Sequence, residues 1–328
     1  MTMTTMLDQR YGVEVEMYHI SRSKAAQVVR DTLAELTGQP WLASSPGLHL
    51  DERKITPKNE PATMHNTWKI ESDSSIRASS REEQTELVSP VLTWADMPTL
   101  QSIVRALRAA GARSDPAHSC GVHVHVDAPT HTAQSLRTLT NIMASHEQLL
   151  MAATGFSQSR LTWCSPVNTS FLLAVNARKP ATMDELRRIW YRSHGCSGST
   201  HYDGSRYHML NLHSYFEGKG LEFRLFQFDD YNPAALRGHR GGLHAGQLKA
   251  YVQLCLGLSH RALTTKSASY KPLQSENQKY TMRCWLLRLG FIGSEFATAR
   301  ELYLRRLPGD SAWRHGRPEK AETTETPA

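Results

Sequence analysis

The stretch Cys120-Gly121-Val122-His123-Val124-His125-Val126-Asp127 alternates apolar and polar side chains. Successive side chains of a strand point to opposite faces, so Val122, Val124 and Val126 share one face and His123, His125 and Asp127 share the other. One face suits a core and the other suits chemistry. A His-x-His strand taken alone is more often a half-buried strand whose polar outer face happens to carry histidines. Two further segments divide their faces in the same way.

Tyr11 to Tyr18 alternates strictly, with Val13, Val15 and Met17 on one side and Glu14 and Glu16 on the other. Carboxylates two residues apart on one strand face lie roughly 6 to 7 Å from each other and repel unless water or a cation separates them. In Gly220 to Phe228, Glu222 and Arg224 share a face while Leu221, Phe223 and Leu225 share the other. Trp68 to Ile76 and Thr85 to Val88 read as two more strands, bearing Asp73 and Glu86, and Pro90 closes the second. In one antiparallel sheet, a single face then carries Glu14, Glu16, Glu86, His123, His125, Glu222 and Arg224. Four carboxylates and two imidazoles on one surface are costly unless divalent cations neutralise them. Oxygen-dominated ligation points to Mg²⁺ or Mn²⁺ rather than Zn²⁺. Arg224, with Arg206 shortly before the Asn211 strand, supplies fixed cations suited to a transferring phosphoryl group.

The chain of 328 residues, 40% of them hydrophobic, is long enough to bury a substantial core. It lacks an apolar run long enough to span a bilayer, and Met1 to Arg10 lacks the apolar stretch of a secretory signal. Five scattered cysteines, an odd number, are expected as reduced thiols in a cytoplasm. A net charge of +7 favours anionic partners, but much of the excess lies near the end of the chain and does not by itself argue for nucleic acid. No membrane partner is expected.

Helices are expected over Ser23 to Leu36, Thr99 to Ala110, Thr132 to Ala153, Met183 to Ser193, Gly246 to Ala262 and Gln278 to Arg306. Tyr207 to His213 reads as a strand, followed by a turn at Glu217-Gly-Lys-Gly220. The expected organisation is a flexible N-terminus over 1–10, one catalytic domain over 11–307 with a loop-rich excursion at 39–66, and a disordered tail over 308–328. Gly238-His-Arg-Gly-Gly242 lacks the strand and helix of a phosphate loop and reads as a turn.

Six short motifs then come in a telling order: Gly12-Val-Glu14-Val-Glu16, Trp68 with Ser72-Asp73-Ser74-Ser75-Ile76, Glu86-Leu-Val-Ser-Pro90, Cys120-Gly-Val-His123-Val-His125-Val, Arg206-Tyr-x-x-x-Asn211-Leu and Glu222-Phe-Arg224. From about Tyr11 to Ala262 the chain resembles the phage and bacterial amidoligase family, a branch of the glutamine synthetase and glutamate-cysteine ligase superfamily of carboxylate-amine ligases. The resemblance implies an α+β fold, a glutamine-synthetase-like curved antiparallel sheet with helices packed on one face. It implies an ATP-dependent ligase that joins a carboxylate to an amine through an acyl phosphate. By the same resemblance Glu14, Glu16, Glu86, His123 and Glu222 are metal ligands, His125 approaches the nucleotide phosphates and Arg224 binds phosphate. Asp73, Arg206 and Asn211 are implied as substrate or nucleotide contacts, Asp73 and Arg206 on the catalytic side. The cofactors implied are ATP with Mg²⁺ or Mn²⁺. The setting implied is a cytoplasm, that of the host for a phage protein. The polar stretch between Asp73 and Glu86 and the loop before Trp68 depart from the family pattern, and both lie where substrate choice would be shaped.

Two other readings use the same residues. A metal-dependent hydrolase would activate water with the carboxylate and histidine array and would turn over without ATP. A basic binding module would hold nucleic acid or a protein, but a purely structural sheet gains nothing from opposed carboxylates on one face. The acid and amine substrates and the oligomeric state stay open.

Overall fold

The computed structural model describes residues 5–44, 51–229 and 242–315. In chain order the elements are β1 (Tyr11–Met17), α1 (Arg22–Thr37), β2 (Trp41–Ser44), β3 (Arg53–Pro57), β4 (Trp68–Glu71), β5 (Thr85–Val88), α2 (Met97–Ala109), β6 (Val122–Val126), α3 (Ala133–Thr154), α4 (Thr169–Arg178), α5 (Met183–His194), β7 (Leu210–Asn211), α6 (Leu212–Phe216), β8 (Leu221–Phe226), α7 (Ala245–Thr264), α8 (Gln278–Arg288) and α9 (Ala297–Leu304). The fold is α+β, as expected. The strands form an eight-stranded sheet in the order β2-β3-β4-β5-β1-β6-β8-β7, and every pairing is antiparallel.

The apolar face expected of β1 and β6 is fully buried: Val13, Val15, Met17, Val122, Val124 and Val126 join one core with Ala25, Val29 and Leu33 of α1 and Leu248, Val252 and Leu256 of α7. Burying this stripe removes apolar surface from water at roughly 25 cal/mol per Å², which fixes the strand faces and leaves the opposite face for polar groups. Helix ends follow local signals. Thr132 caps α3 by accepting from Ser135 N–H, Thr182 caps α5 by accepting from Glu185 N–H, and Gly155 ends α3 with φ of 64°.

Several expectations need correction. The excursion at 39–66 contains β2 and β3, an edge pair whose weak burial alternation hides it in the sequence. Residues 6–10 are held rather than flexible, because Met6 is buried and Gln9 Nε2 donates to the carbonyls of Met6 and Leu256. The Tyr207–His213 strand shrinks to Leu210–Asn211, since the Asn211 side chain accepts from His213 and Ser214 N–H and starts α6. The helix expected over Gln278–Arg306 breaks between α8 and α9, where Gly290 and Gly293 take φ of 92° and 83°. The start of the expected disordered tail is anchored: Asn277 Nδ2 donates to Trp313 O and Lys279 N to Pro308 O. The rest of that tail, 316–328, lies outside the described residues, as does the turn expected over 238–242 apart from Gly242.

Candidate active site

The register of the sheet lines up the polar side chains in transverse rows. Glu71 of β4, Glu86 of β5 and Glu16 of β1 are direct neighbours across the strands. Glu14 lies opposite His123 of β6. Gly12, His125, Glu222 of β8 and Asn211 of β7 form a third row. Paired residues in an antiparallel sheet place their side chains about 5 Å apart on a common face, close enough to act together.

The contacts are tight. His123 Nδ1 lies 2.9 Å from Glu14 Oε2 and 3.8 Å from Glu222 Oε1, and its Nε2 lies 3.5 Å from Glu16 Oε1. His125 Nε2 lies 3.1 Å from Glu14 Oε1. Gly121 N–H donates to Glu16 Oε2 at 2.6 Å. Arg224 Nη1 donates to Glu222 Oε1, and Asn211 Nδ2 donates to Glu222 Oε2 at 2.5 Å. Three groups bring one ligand atom from each member within 4.8 Å of the others: Glu14, Glu86 and His123; Glu14, His125 and Glu222; and Glu16, Asp73 and Glu86.

The charges are unevenly compensated. Burial would raise Glu14, but His125 and His123 outweigh it and hold its carboxyl well below the usual range. Burial likewise opposes ionisation of Glu222, yet Arg224 and His125 bring it down to about 2. For His125 burial is again outweighed, chiefly by Glu14, and the imidazole rises to about 9. Glu86 has no such partner: burial, then Glu14, Glu16 and Asp73, push it well above the ordinary carboxylate value. A buried carboxylate surrounded by carboxylates fits a site that takes a divalent cation, and oxygen with imidazole donors fits Mg²⁺ or Mn²⁺.

The expected residues thus line two adjoining cavities, an inner and an outer lobe, that share part of their lining. The inner lobe, about 510 Å³, is lined by Glu14, Glu86, His123, His125, Asn211, Glu222 and Arg224 among others, and the outer, about 780 Å³, by Glu16, Arg77, Arg160, Trp163 and Tyr207 among others. Asp73, His123, Arg206 and Arg224 line both. Asn211, expected as a nucleotide contact, has its amide committed to Glu222 and its carbonyl to the first turn of α6, so it positions Glu222.

Glu71, Lys69 and Arg160 also line the cavity and were not anticipated. The alternation Trp68-Lys69-Ile70-Glu71 carried the signal for the first two. Arg160 carried none, because it sits in a one-turn helix between α3 and α4. The alternation expected through Leu225 also fails: β8 shifts register between Val124–Phe223 and Val122–Phe226, so Phe226 and not Leu225 faces Val122.

Over residues 7–259, most of its length, the sequence matches the model of a family described as "putative amidoligase enzyme". The chain belongs to this amidoligase family. No curated protein matches the chain. Among solved structures the amidoligase chain is similar to a bifunctional glutathione synthetase from Pasteurella multocida, at 12% identity and a TM-score of 0.39, over 91% of this chain and 47% of that one. The chain therefore spans about half the length of that protein. Among the described residues, no helix is long and apolar enough to cross a membrane.

Proposed function

We propose that the chain is an ATP-dependent carboxylate-amine ligase acting through an acyl phosphate, on a sheet of the glutamine synthetase kind. The observation that carries this reading is the set of three overlapping carboxylate and histidine groups on one sheet face, each with its ligand atoms within 4.8 Å. Glu14, Glu16, Glu86, His123 and Glu222 would hold Mg²⁺ or Mn²⁺, with Asp73 adding a donor. Divalent cations bound there supply charge neutralisation at the β and γ phosphates of ATP.

A carboxylate is a poor acylating agent because its oxygen leaves badly. Attack by the substrate carboxylate oxygen on the γ phosphorus breaks the bond to ADP and makes the acyl phosphate. An amine then attacks the acyl carbon, phosphate departs, and the nitrogen loses a proton to leave the amide. Arg224 faces this transfer as a fixed cation, held in place by Glu222. Its Nε is buried and has no partner among the described residues, a donor suited to a phosphoryl oxygen. His125, held protonated at neutral pH, adds positive charge toward the phosphates. Ser74 to Ala78 line the outer lobe and would have to limit water, which hydrolyses an acyl phosphate. All three ligand groups come from one chain, so a partner subunit is not needed to build them. The odd, scattered cysteines suit a cytoplasmic setting.

The test is ADP release with pooled carboxylates and amines, followed by mass spectrometry for a product lighter by one water than its two parents. Release that requires both substrates supports the ligase. Turnover without ATP would instead establish the hydrolase.

A further inference from the structure

The nucleotide and metal chemistry accounts for the inner lobe and leaves the outer lobe without an occupant. At about 780 Å³ the outer lobe is the larger, and to Arg206, Arg224 and Tyr202, which it shares with the inner lobe, its lining adds Arg77, Arg160, Trp163 and Tyr207. Glu16 and Asp73 are the acidic residues of that lining, and both belong to the cation cluster on the inner side. Beyond them its charged side chains are arginines, set with the three rings among small and neutral polar residues.

Arg206 decides what it receives. Its guanidinium carbon lies 5.3 Å from the centre of the Tyr202 ring and 5.9 Å from that of Tyr207, so two aromatic rings hold it. Its Nε and Nη1 are buried and have no hydrogen-bond partner among the described residues. Buried donors on a permanent cation are expensive to leave unmet, and a planar guanidinium matches a carboxylate. Arg224 already donates to Glu222, whereas Arg206 has no acidic partner among the described residues.

We propose that the outer lobe binds the acid substrate as a short acidic peptide, with Arg206 receiving a second carboxylate beside the one that is activated. The inference rests on the ligase reading above. Three features favour a peptide over a free amino acid. The lobe has the volume of sites that take drug-sized ligands, roughly 300 to 1,000 Å³. Its rim exposes flat aromatic surface, 75% of Tyr202 and 37% of Trp163, against which several residues can lie. Arg77 offers a further exposed cation on the loop between β4 and β5. Arg206 is then a substrate-binding residue that selects the acid, and not a group that acts on the phosphoryl.

The test uses the full chain and two peptides of one length, acetyl-Glu-Glu-Glu-amide and acetyl-Gln-Glu-Gln-amide. Binding is measured by calorimetry without ATP, and ADP release is then measured with ATP, Mg²⁺ and hydroxylamine as the amine. We expect the triglutamate peptide to bind at least tenfold more tightly. That preference disappears in Arg206→Met and returns in part in Arg206→Lys, whose thermal melts report folding. In turnover, the rise in KM caused by Arg206→Met falls on the triglutamate peptide alone. Equal affinity for the two peptides, or no binding of either, overturns the proposal. So does an equal loss of kcat with both peptides, which would return Arg206 to the phosphoryl group. A wild-type peptide preference without ADP release keeps the binding assignment and overturns the ligase reading instead.

Discussion

Glu86 stands directly across from Glu16 on one side and Glu71 on the other, with Glu14 and Asp73 close enough to raise its pKa further. Raised means that folding works against its ionised form, so above the ordinary carboxylate range this group costs the metal-free protein stability. Glu86→Gln removes that cost. The variant should melt a few degrees higher than wild type in chelator and bind Mn²⁺ about tenfold or more weakly, as calorimetry and thermal melts would show. An unchanged Mn²⁺ affinity would remove Glu86 from the cation cluster. Glu222→Gln and His123→Ala address the chemistry itself. Each should lower ligase turnover on the order of 100-fold or more while leaving the circular dichroism spectrum intact, and retained activity in both would sink the assignment. These residues could be picked from alternation alone, because a strand fixes which side chains share a face. Which of them touch could not, since that depends on register between strands far apart in the chain.

Arg160 shows what an element can require from a distant residue. Its Nη1 donates to Cys120 O and its Nη2 to Arg224 O, joining β6 to β8 where their ladder shifts register. The guanidinium packs against Gly121, where a Cβ would clash with Nη1, Nη2 and Cζ. The same glycine donates its N–H to Glu16. Gly121→Ala should therefore cost about 2 kcal/mol in urea unfolding, and the penalty should shrink by about 1 kcal/mol in an Arg160→Ala background, because the clash is then gone. Equal penalties in both backgrounds would exclude this packing. Arg22, the first residue of α1, does a related job for the loop between β4 and β5. It is 1% exposed, donates to the carbonyls of Arg81 and Gln84, and pairs with Asp51 and Glu82. Arg22→Met should destabilise the protein by about 3 kcal/mol and speed limited proteolysis within residues 77–84. Neither arginine was legible in the sequence, where each reads as an ordinary surface cation.

Across the whole molecule, α3, α7 and the N-terminal segment meet in a buried polar chain. His131 Nδ1 lies 2.9 Å from Ser135 Oγ and its Nε2 lies 2.9 Å from Ser259 Oγ, which in turn donates to Gln9 Oε1. Burial lowers His131 from 6.5 to about 4. The unfolded chain therefore binds more protons between those two values, and stability present above pH 6.5 is lost as pH falls toward 4. The His131 contribution is about 3 kcal/mol. His194, likewise lowered to about 4, acts in the same direction. Urea midpoints at pH 7 and pH 5 should show this loss, and His131→Gln should reduce it; an unchanged pH dependence would show that His131 does not titrate on unfolding.

Periodicity by itself determined the α+β class, the apolar and polar faces of β1, β6 and most of β8, and the capped ends of α3 and α5, because each follows from interactions within a few residues. Six short motifs in order determined the family. Only the tertiary structure decided that Glu86 meets four other carboxylates, that Asn211 serves Glu222, that Arg160 bridges a break in the sheet, and that Arg206 stands against two rings with Nε and Nη1 unmet among the described residues. Those facts arise from strand register and from loops packing across the sheet, where the partners are many residues apart and no local pattern records the distance between them.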